Sequence, residues 1–367
     1  MMRVLSVSSS RADVGILHPV WAALIETGQV DLHVFFTGMH LASEAVDQTG
    51  SVPVGATVHR GGSDLGGTDG ILAAEAMAHI GSAAAKVLGA TNPDVLVVVG
   101  DRLDMVPTAM AALPMGVPIV HLHGGEITEG AMDDCVRRAL SQISDRHCVA
   151  HEEARRNLVS MGIDNTKITV TGAPGLDTLR SAATIDAVEF AQTFSLPVGE
   201  PFRLVTVHPE TKAADPLAPL NAVLEALAAR PGPVLFTAPN SDPGGVEARE
   251  RILDFCSRLD GAIFVETLGA LYPSALRNAA IMLGNSSSGI IEAGLFGLPV
   301  LDIGERQTGR IYGHNVQRLP AVSDLIIAAL DGLGRNPKRC SLGTPYGDGA
   351  SSRKLATVVI ETVKGSK

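Results

Sequence analysis

The sequence predicts an α/β fold of two successive βα halves, and three observations predict it. Short apolar runs rich in β-branched residues recur along the chain, each bounded by Gly or Pro, as expected of strands buried on both faces of a parallel sheet. Segments of helical periodicity alternate with these runs. A break at Gly172-Ala173-Pro174-Gly175 then divides the series in two. The expected domains are residues 1–173, capped by a returning helix at 351–363, and residues 174–350.

A chain of 367 residues can bury two cores of ordinary size. Hydrophobic residues make up 46% of it and aromatics only 4%, so those cores must be built from Val, Leu, Ile and Ala. The net charge is −10 with no basic run, which argues against nucleic acid or an anionic membrane as partner. A small anionic ligand stays open, because a few local arginines suffice to hold one. The four cysteines, Cys135, Cys148, Cys256 and Cys340, lack metal-type spacing and read as reduced thiols. No signal peptide is evident, nor an apolar run of about 20 residues able to span a bilayer. The expected location is the cytoplasm.

Val4–Ser8 reads as the first strand and Val14–Glu26 as a helix, with Leu17, Val20, Trp21 and Leu24 on one face. The turn between them, Ser9-Ser10-Arg11-Ala12-Asp13, is of the kind that holds phosphate on free backbone N–H groups. It lacks the G-x-G-x-x-G pattern, so a dinucleotide oxidoreductase is not indicated. Leu32–Phe36 is the second strand, with a turn at Gly38 leading into 41–46. The glycine-rich stretch from Gly50 to Gly70 reads as a loop, and a helix follows over Gly70–Leu88. Next come two runs, Val95–Val99 and Val117–Val120, each followed by acids: Asp101 and Asp104 after the first, Glu126, Asp133 and Asp134 after the second. Ligands of open α/β sheets sit beyond the carboxyl ends of strands, and converging carboxylates raise one another's pKa into a range useful for proton transfer. Asp104 reads as a helix N-cap. The glycines beside Asp101 and Glu126 give a ligand access to the backbone. His121 reads as a core histidine and His123 as one lining a pocket.

Strands at 147–150 and 168–171 close the first half, with a helix over 152–161 between them. The second half runs through strands at 204–207, 234–237, 262–265, 281–283 and 300–303. Helices alternate with them near 214–229, 244–259, 269–279, 287–297 and 321–333. Two strand ends carry chemistry. His208-Pro209-Glu210 follows one buried strand. Asn285-Ser286-Ser287-Ser288-Gly289 turns from another into a helix, where hydroxyls, free N–H groups and the positive helix end suit a pyrophosphate. Glu292, shortly after, is placed to accept from ribose hydroxyls.

These motifs together resemble the UDP-N-acetylglucosamine 2-epimerase family, within it the hydrolysing branch that serves sialic-acid-type sugar synthesis. The resemblance runs from Arg11-Ala12-Asp13 to Arg306-Gln307-Thr308-Gly309-Arg310. It rests on Gly100-Asp101-Arg102, His123-Gly124-Gly125-Glu126, Asp133-Asp134 with Arg137, His208-Pro209 and Asn285–Gly289. It implies two Rossmann-like domains facing across a cleft (GT-B-like), acids in the first and UDP on the second. Asp101, Glu126, Asp133 or Asp134, and His208 match catalytic positions, with Asp133 favoured of its pair. Arg11, Ser286, Ser287, Ser288, Gly289 and Glu292 match nucleotide contacts, and Arg102, Arg137, His123 and Arg310 match positions near the substrate. The first loop reads Ser-Ser-Ser-Arg where family members more often have Gly-Thr-Arg or Gly-Ser-Arg. No metal and no cofactor is implied; the implied assembly is a homodimer or homotetramer.

The expected reaction converts UDP-N-acetylglucosamine into N-acetylmannosamine and UDP by elimination and then hydration. Four alternatives stand beside it: a UDP- or GDP-linked 2,4-diacetamido-6-deoxy sugar as substrate, epimerisation without loss of UDP, a glycosyltransferase of the same architecture, and a nucleotide-sugar sensor without catalysis.

Overall fold

A computed structural model describes residues 1–42, 47–65, 70–127, 132–210, 213–240 and 244–365. The chain forms two compact units, Met1–Thr178 with Tyr346–Lys367, and Leu179–Pro345.

The first unit holds seven strands: β1 (Met2–Ser8), β2 (Val30–Phe36), β3 (Thr57–Arg60), β4 (Val95–Val99), β5 (Ile119–Leu122), β6 (Arg146–Val149) and β7 (Ile168–Val170). They pair in parallel in the order β3-β2-β1-β4-β5-β6-β7. Every residue of β4 is buried, as the unbroken Val-Leu-Val-Val-Val run requires. Helices Arg11–Glu26 and Ser351–Gly365 share the core through Trp21, Leu24, Leu355 and Val359. Trp21, wholly buried, keeps its indole N–H satisfied on Ser6 Oγ at 2.8 Å. The carboxylate of Asp177 accepts from the backbone N–H groups of Ser351 and Ser352, and so caps the returning helix.

The second unit holds β8 (Arg203–Thr206), β9 (Val234–Thr237), β10 (Ala262–Val265), β11 (Ile281–Gly284), β12 (Val300–Ile303) and β13 (Val316–Leu319). Their order is β10-β9-β8-β11-β12-β13, again all parallel. Successive strand residues serve opposite layers. Val205, Phe236 and Leu283 join one apolar cluster, while Leu204, Leu235 and Met282 join the other. Both sheets therefore follow the doubly wound order, and each has one switch point, at β1/β4 and at β8/β11.

Several elements depart from the sequence reading. The stretch expected as a loop from Gly50 to Gly70 contains β3, and β13 and the helices Gly175–Ser181 and Ala187–Thr193 are additional. The expected helix at 287–297 is a five-residue helix, Ser287–Ile291, followed by a tighter turn over Ala293–Phe296. Residues 43–46 of the expected segment 41–46 lie outside the described residues. The helix Gly70–Thr91 is long and apolar enough to cross a membrane by length and composition, contrary to the expectation that no such run exists. Here it packs one stripe on the first unit, burying Ala76, Ile80, Ala84 and Leu88 at a spacing of one turn, while Ile71 and Leu72 stay exposed. All four cysteines are free.

Candidate functional site

Each switch point gathers polar side chains. In the first unit, β4 ends at Gly100, whose φ of +70° is open to glycine at little strain and aims the next residue out of the sheet. A Cβ at Gly100 would meet nothing within 4 Å, so the backbone there is approachable. Asp101 follows and pairs with Arg137 of helix Met132–Ile143. Arg137 is buried, donates to the carbonyl oxygen of Glu126 at 2.7 Å, and lies 3.6 Å from Asp134 Oδ1. Asp134 also accepts from Arg138 Nε at 2.8 Å. One guanidinium thus joins the segments that carry Asp101, Glu126 and Asp134. Arg137, expected near the substrate, is also the internal tie of the acidic cluster.

Glu126 Oε1 lies 3.3 Å from His123 Nδ1. His123 has a φ of +61°, an uncommon conformation for a side chain of this size. Its Nε2 is buried without a hydrogen-bond partner among the described residues. The two glycines between them serve packing and not ligand access. A Cβ at Gly124 would lie 2.9 Å from Ser141 Oγ, and one at Gly125 would lie 2.2 Å from the carbonyl oxygen of Ala154. Asp133 and Asp134 occupy the first turn of their helix, but Asp133 is exposed while Asp134 is held by the two arginines.

In the first βα turn the N–H groups of Ser9 and Ser10 are already taken. Asp13 Oδ2 accepts from Ser9 N at 2.7 Å, Ser10 N at 2.8 Å and Ser9 Oγ at 2.9 Å. The phosphate-type turn expected from sequence is satisfied by the chain's own carboxylate, which burial pushes above the ordinary aspartate range despite those donors. Arg102 is likewise engaged by partners within the chain. It donates to Ser9 Oγ at 2.9 Å and to both oxygens of Asp104, at 3.1 and 3.0 Å. Asp104 precedes helix Met105–Ala112 without capping it by a side-chain hydrogen bond, because that carboxylate is committed to Arg102. Gly38 makes room for the pair, since a Cβ there would sit 2.4 Å from Asp104 Oδ2. Arg11 is exposed on the first turn of its helix.

In the second unit, β8 and β11 end side by side at His208 and Asn285. Gly284 is obligatory, as a Cβ would lie 1.9 Å from the Thr206 carbonyl oxygen. Asn285, fully buried, accepts from His208 N and donates to His208 O. Asn240 N donates to His208 Nδ1 at 3.0 Å, so in this arrangement the imidazole proton resides on Nε2. Ser286 is the N-cap of the short helix, accepting from Ser288 N. Ser287 and Ser288 follow, half-buried, with Ser288 Oγ shielded from solvent, and Gly289 is buried. Burial pushes the Glu292 carboxyl up, and the Ser288 and Tyr272 hydroxyls that lean toward it only partly offset this. Neither hydroxyl completes a well-formed hydrogen bond. Arg310 is half-exposed beyond the loop that follows β12.

Three further residues organise this point; the sequence reading named Glu210 after its strand and Gln307 within a motif, without their partners, and missed Asp302. Glu210 Oε1 accepts from Glu305 N and Arg306 N, at 2.8 and 2.9 Å, and so fixes the loop after β12. Gln307, buried, donates to the Asn285 carbonyl oxygen at 2.8 Å. Asp302 lies buried inside β12, and burial pushes its carboxyl to about 6 although Arg318 stands 3.9 Å away. An acid inside the apolar run Val300–Ile303 was the available signal. Among the described residues, no three His, Cys, Asp or Glu side chains are arranged to hold a metal ion.

Two parallel, doubly wound units with polar strand ends at both switch points define a GT-B-like α/β protein. The solved UDP-GlcNAc 2-epimerase from Neisseria meningitidis, bound to UDP-GlcNAc, shares this fold at a TM-score of 0.76 and 21% identity, over 98% of this chain and 100% of that one. The family described as UDP-N-acetylglucosamine 2-epimerase matches residues 22–360, and the chain belongs to that family. UDP-N,N'-diacetylbacillosamine 2-epimerase (hydrolyzing) of Legionella pneumophila is 32% identical over 364 residues, covering 96% of this chain and 94% of the relative. UDP-N-acetylglucosamine 2-epimerase of Neisseria meningitidis is 29% identical over 364 residues, covering 94% and 89%.

Proposed function

We propose that the chain is a hydrolysing 2-epimerase of a UDP-linked 2-acetamido sugar, and that UDP-N,N'-diacetylbacillosamine is its substrate. The observation that carries the substrate is the 32% identity, over nearly all of both chains, to a relative of that activity. The second reading is UDP-N-acetylglucosamine, favoured by the 29% identical relative from Neisseria meningitidis.

The reaction proceeds by elimination and then hydration. A base removes the C2 proton while the C1–O bond breaks, and UDP leaves with the bonding electrons. Water then adds its hydroxyl to the C1 of the glycal, and a proton returns to the opposite face of C2. The first unit supplies the proton-transfer groups, Asp101, Glu126 and Asp133, with Asp134 and Arg137 holding them in place. In the second unit the Nε2–H of His208 and the Ser286–Ser288 donors stabilise the departing diphosphate, while Glu292 accepts from the ribose. Arg11 and Arg310 add positive charge for the phosphates.

Proton NMR in deuterated water tests the reading, with each nucleotide sugar offered separately. The expected outcome is turnover of the diacetamido substrate to its 2-epimer and UDP, with deuterium at C2. Turnover of UDP-N-acetylglucosamine alone selects the second reading. Release of the unepimerised sugar with hydrogen retained at C2 overturns the elimination.

A further inference from the structure

We propose that His121 is a positioning residue for the acids of the first unit, holding three chain segments in register through one imidazole. The inference rests on the acid–base reading above and deepens it. His121 lies on β5 and is wholly buried. Its Nε2 is 2.8 Å from the carbonyl oxygen of Gly100, an atom that only accepts, so Nε2 carries the proton. Nδ1 is then the acceptor, and Ser141 Oγ donates to it over 3.2 Å.

The three anchor points are those that matter for the acids. Gly100 immediately precedes Asp101. Ser141 lies one turn beyond Arg137 and two beyond Asp134 on helix Met132–Ile143, on the same face. His121 itself begins the run that leads through His123 to Glu126. Arg137 joins the same segments on the outer side of the cluster, and His121 joins them beneath it. The fit is close, since a Cβ on Gly124 would lie 3.0 Å from His121 Nδ1. This explains the small residue after His123 better than ligand access does.

Burial keeps the ring neutral, pushing its pKa down to about 3. A neutral imidazole is the form required, because only it both donates to a carbonyl and accepts from a hydroxyl. The adjacent His147 of β6, paired with His121 across the sheet, is also held neutral by burial, at about 4.

Three variants test the assignment: His121→Leu removes both hydrogen bonds at similar bulk, His121→Gln keeps a donor at the Nε2 position, and Ser141→Ala removes the hydroxyl. UDP release from both nucleotide sugars gives kcat and KM, calorimetry gives UDP affinity, and thermal melts give stability. His121→Leu should lower kcat by on the order of 10²-fold, the consequence of displacing reacting groups by about 1 Å, with KM and UDP affinity unchanged. His121→Gln should restore most of kcat, and Ser141→Ala should show a smaller loss in kcat alone. Should the Leu variant not fold, an unchanged kcat in Ser141→Ala overturns the proposal. So does a Gln variant as impaired as Leu, or a loss confined to KM. Wild-type protein that turns over neither sugar overturns the functional reading and this proposal with it. Active wild type beside an unimpaired His121→Leu overturns only this proposal.

Discussion

The side-chain amide of Asn285 and the backbone of His208 exchange two hydrogen bonds, 2.7 Å from His208 N–H to Oδ1 and 2.9 Å from Nδ2 to the His208 carbonyl. The pair closes the gap between the ends of β8 and β11, so the loops bearing His208 and Ser286 are fixed together. Asn285→Ala leaves both backbone groups unsatisfied in a buried place. It should cost about 1–3 kcal/mol per stranded group, read from urea unfolding, and weaken UDP binding. Asn285→Asp keeps the acceptor and should fall between Ala and the parent. Parental stability and UDP affinity in Asn285→Ala would show that the loops are held elsewhere.

The serines that follow are expected to act on the nucleotide and not on the fold. Ser286→Ala with Ser287→Ala should reduce UDP affinity, each lost hydrogen bond to a charged phosphate being worth roughly 1.5–3 kcal/mol. Thermal stability should change little, because among their side chains only Ser286 Oγ takes part in the helix cap, in a long contact of 3.4 Å. Calorimetric titration with UDP decides, and an unaltered affinity would reduce the turn to an ordinary helix start.

For the acids, Glu126→Gln should preserve folding and UDP binding while lowering turnover by roughly 10²–10⁴. Asp133→Asn and Asp134→Asn should then differ in kind. Asp133 is exposed and available to substrate, whereas Asp134 is held by Arg137 and Arg138. Loss of the first should fall on kcat as a missing acid or base. Loss of the second should also lower stability by freeing Arg137 from one of its carboxylates. Identical kinetic and thermal profiles for the two variants would contradict that division, and full activity in Glu126→Gln would remove it from the mechanism.

Stability should also depend on His147. Among the described residues neither of its buried ring nitrogens has a hydrogen-bond partner, and burial pushes its pKa down to about 4 from 6.5. The unfolded chain therefore binds the proton more readily than the folded one between those values. The stability is fully present above about pH 6.5 and is lost as pH falls toward 4. His147→Phe should flatten this acid limb, and at pH 7.5 it should be neutral or stabilising, since it removes two unsatisfied polar atoms. Urea midpoints at pH 5 and pH 7.5 provide the comparison, with an unchanged difference between them counting against the assignment.

Much of this architecture is legible in the sequence because parallel strands buried on both faces have no polar phase to obscure them, as in Val95–Val99 and Ile281–Leu283. Two of the four edge strands, β3 and β13, are not legible. Thr57-Val58-His59-Arg60 and Val316-Gln317-Arg318-Leu319 carry the polar residues that edges tolerate, and only pairing with β2 and β12 defines them. Polar groups after strands were readable as a site, but their partners were not. Nothing local distinguishes an arginine that meets a phosphate from Arg102, which meets Asp104. Nor does the turn at Ser9-Ser10 reveal that Asp13, three residues on, occupies its N–H groups. The glycines of His123-Gly124-Gly125-Glu126 mislead in the same way, because their neighbours, Ser141 and Ala154, come from helices well downstream.

The two sheets share one strand order, and the fourth strand of each ends in a glycine of positive φ: Gly100 before Asp101, Gly284 before Asn285. At that matched position the halves differ by one atom, a carboxylate oxygen in the first and an amide nitrogen in the second. The oxygen claims Arg137 and leaves that guanidinium committed. The nitrogen brings no charge and donates to the carbonyl of His208. The two halves are thereby made non-interchangeable at this position, one holding an ion pair and the other a neutral amide clamp.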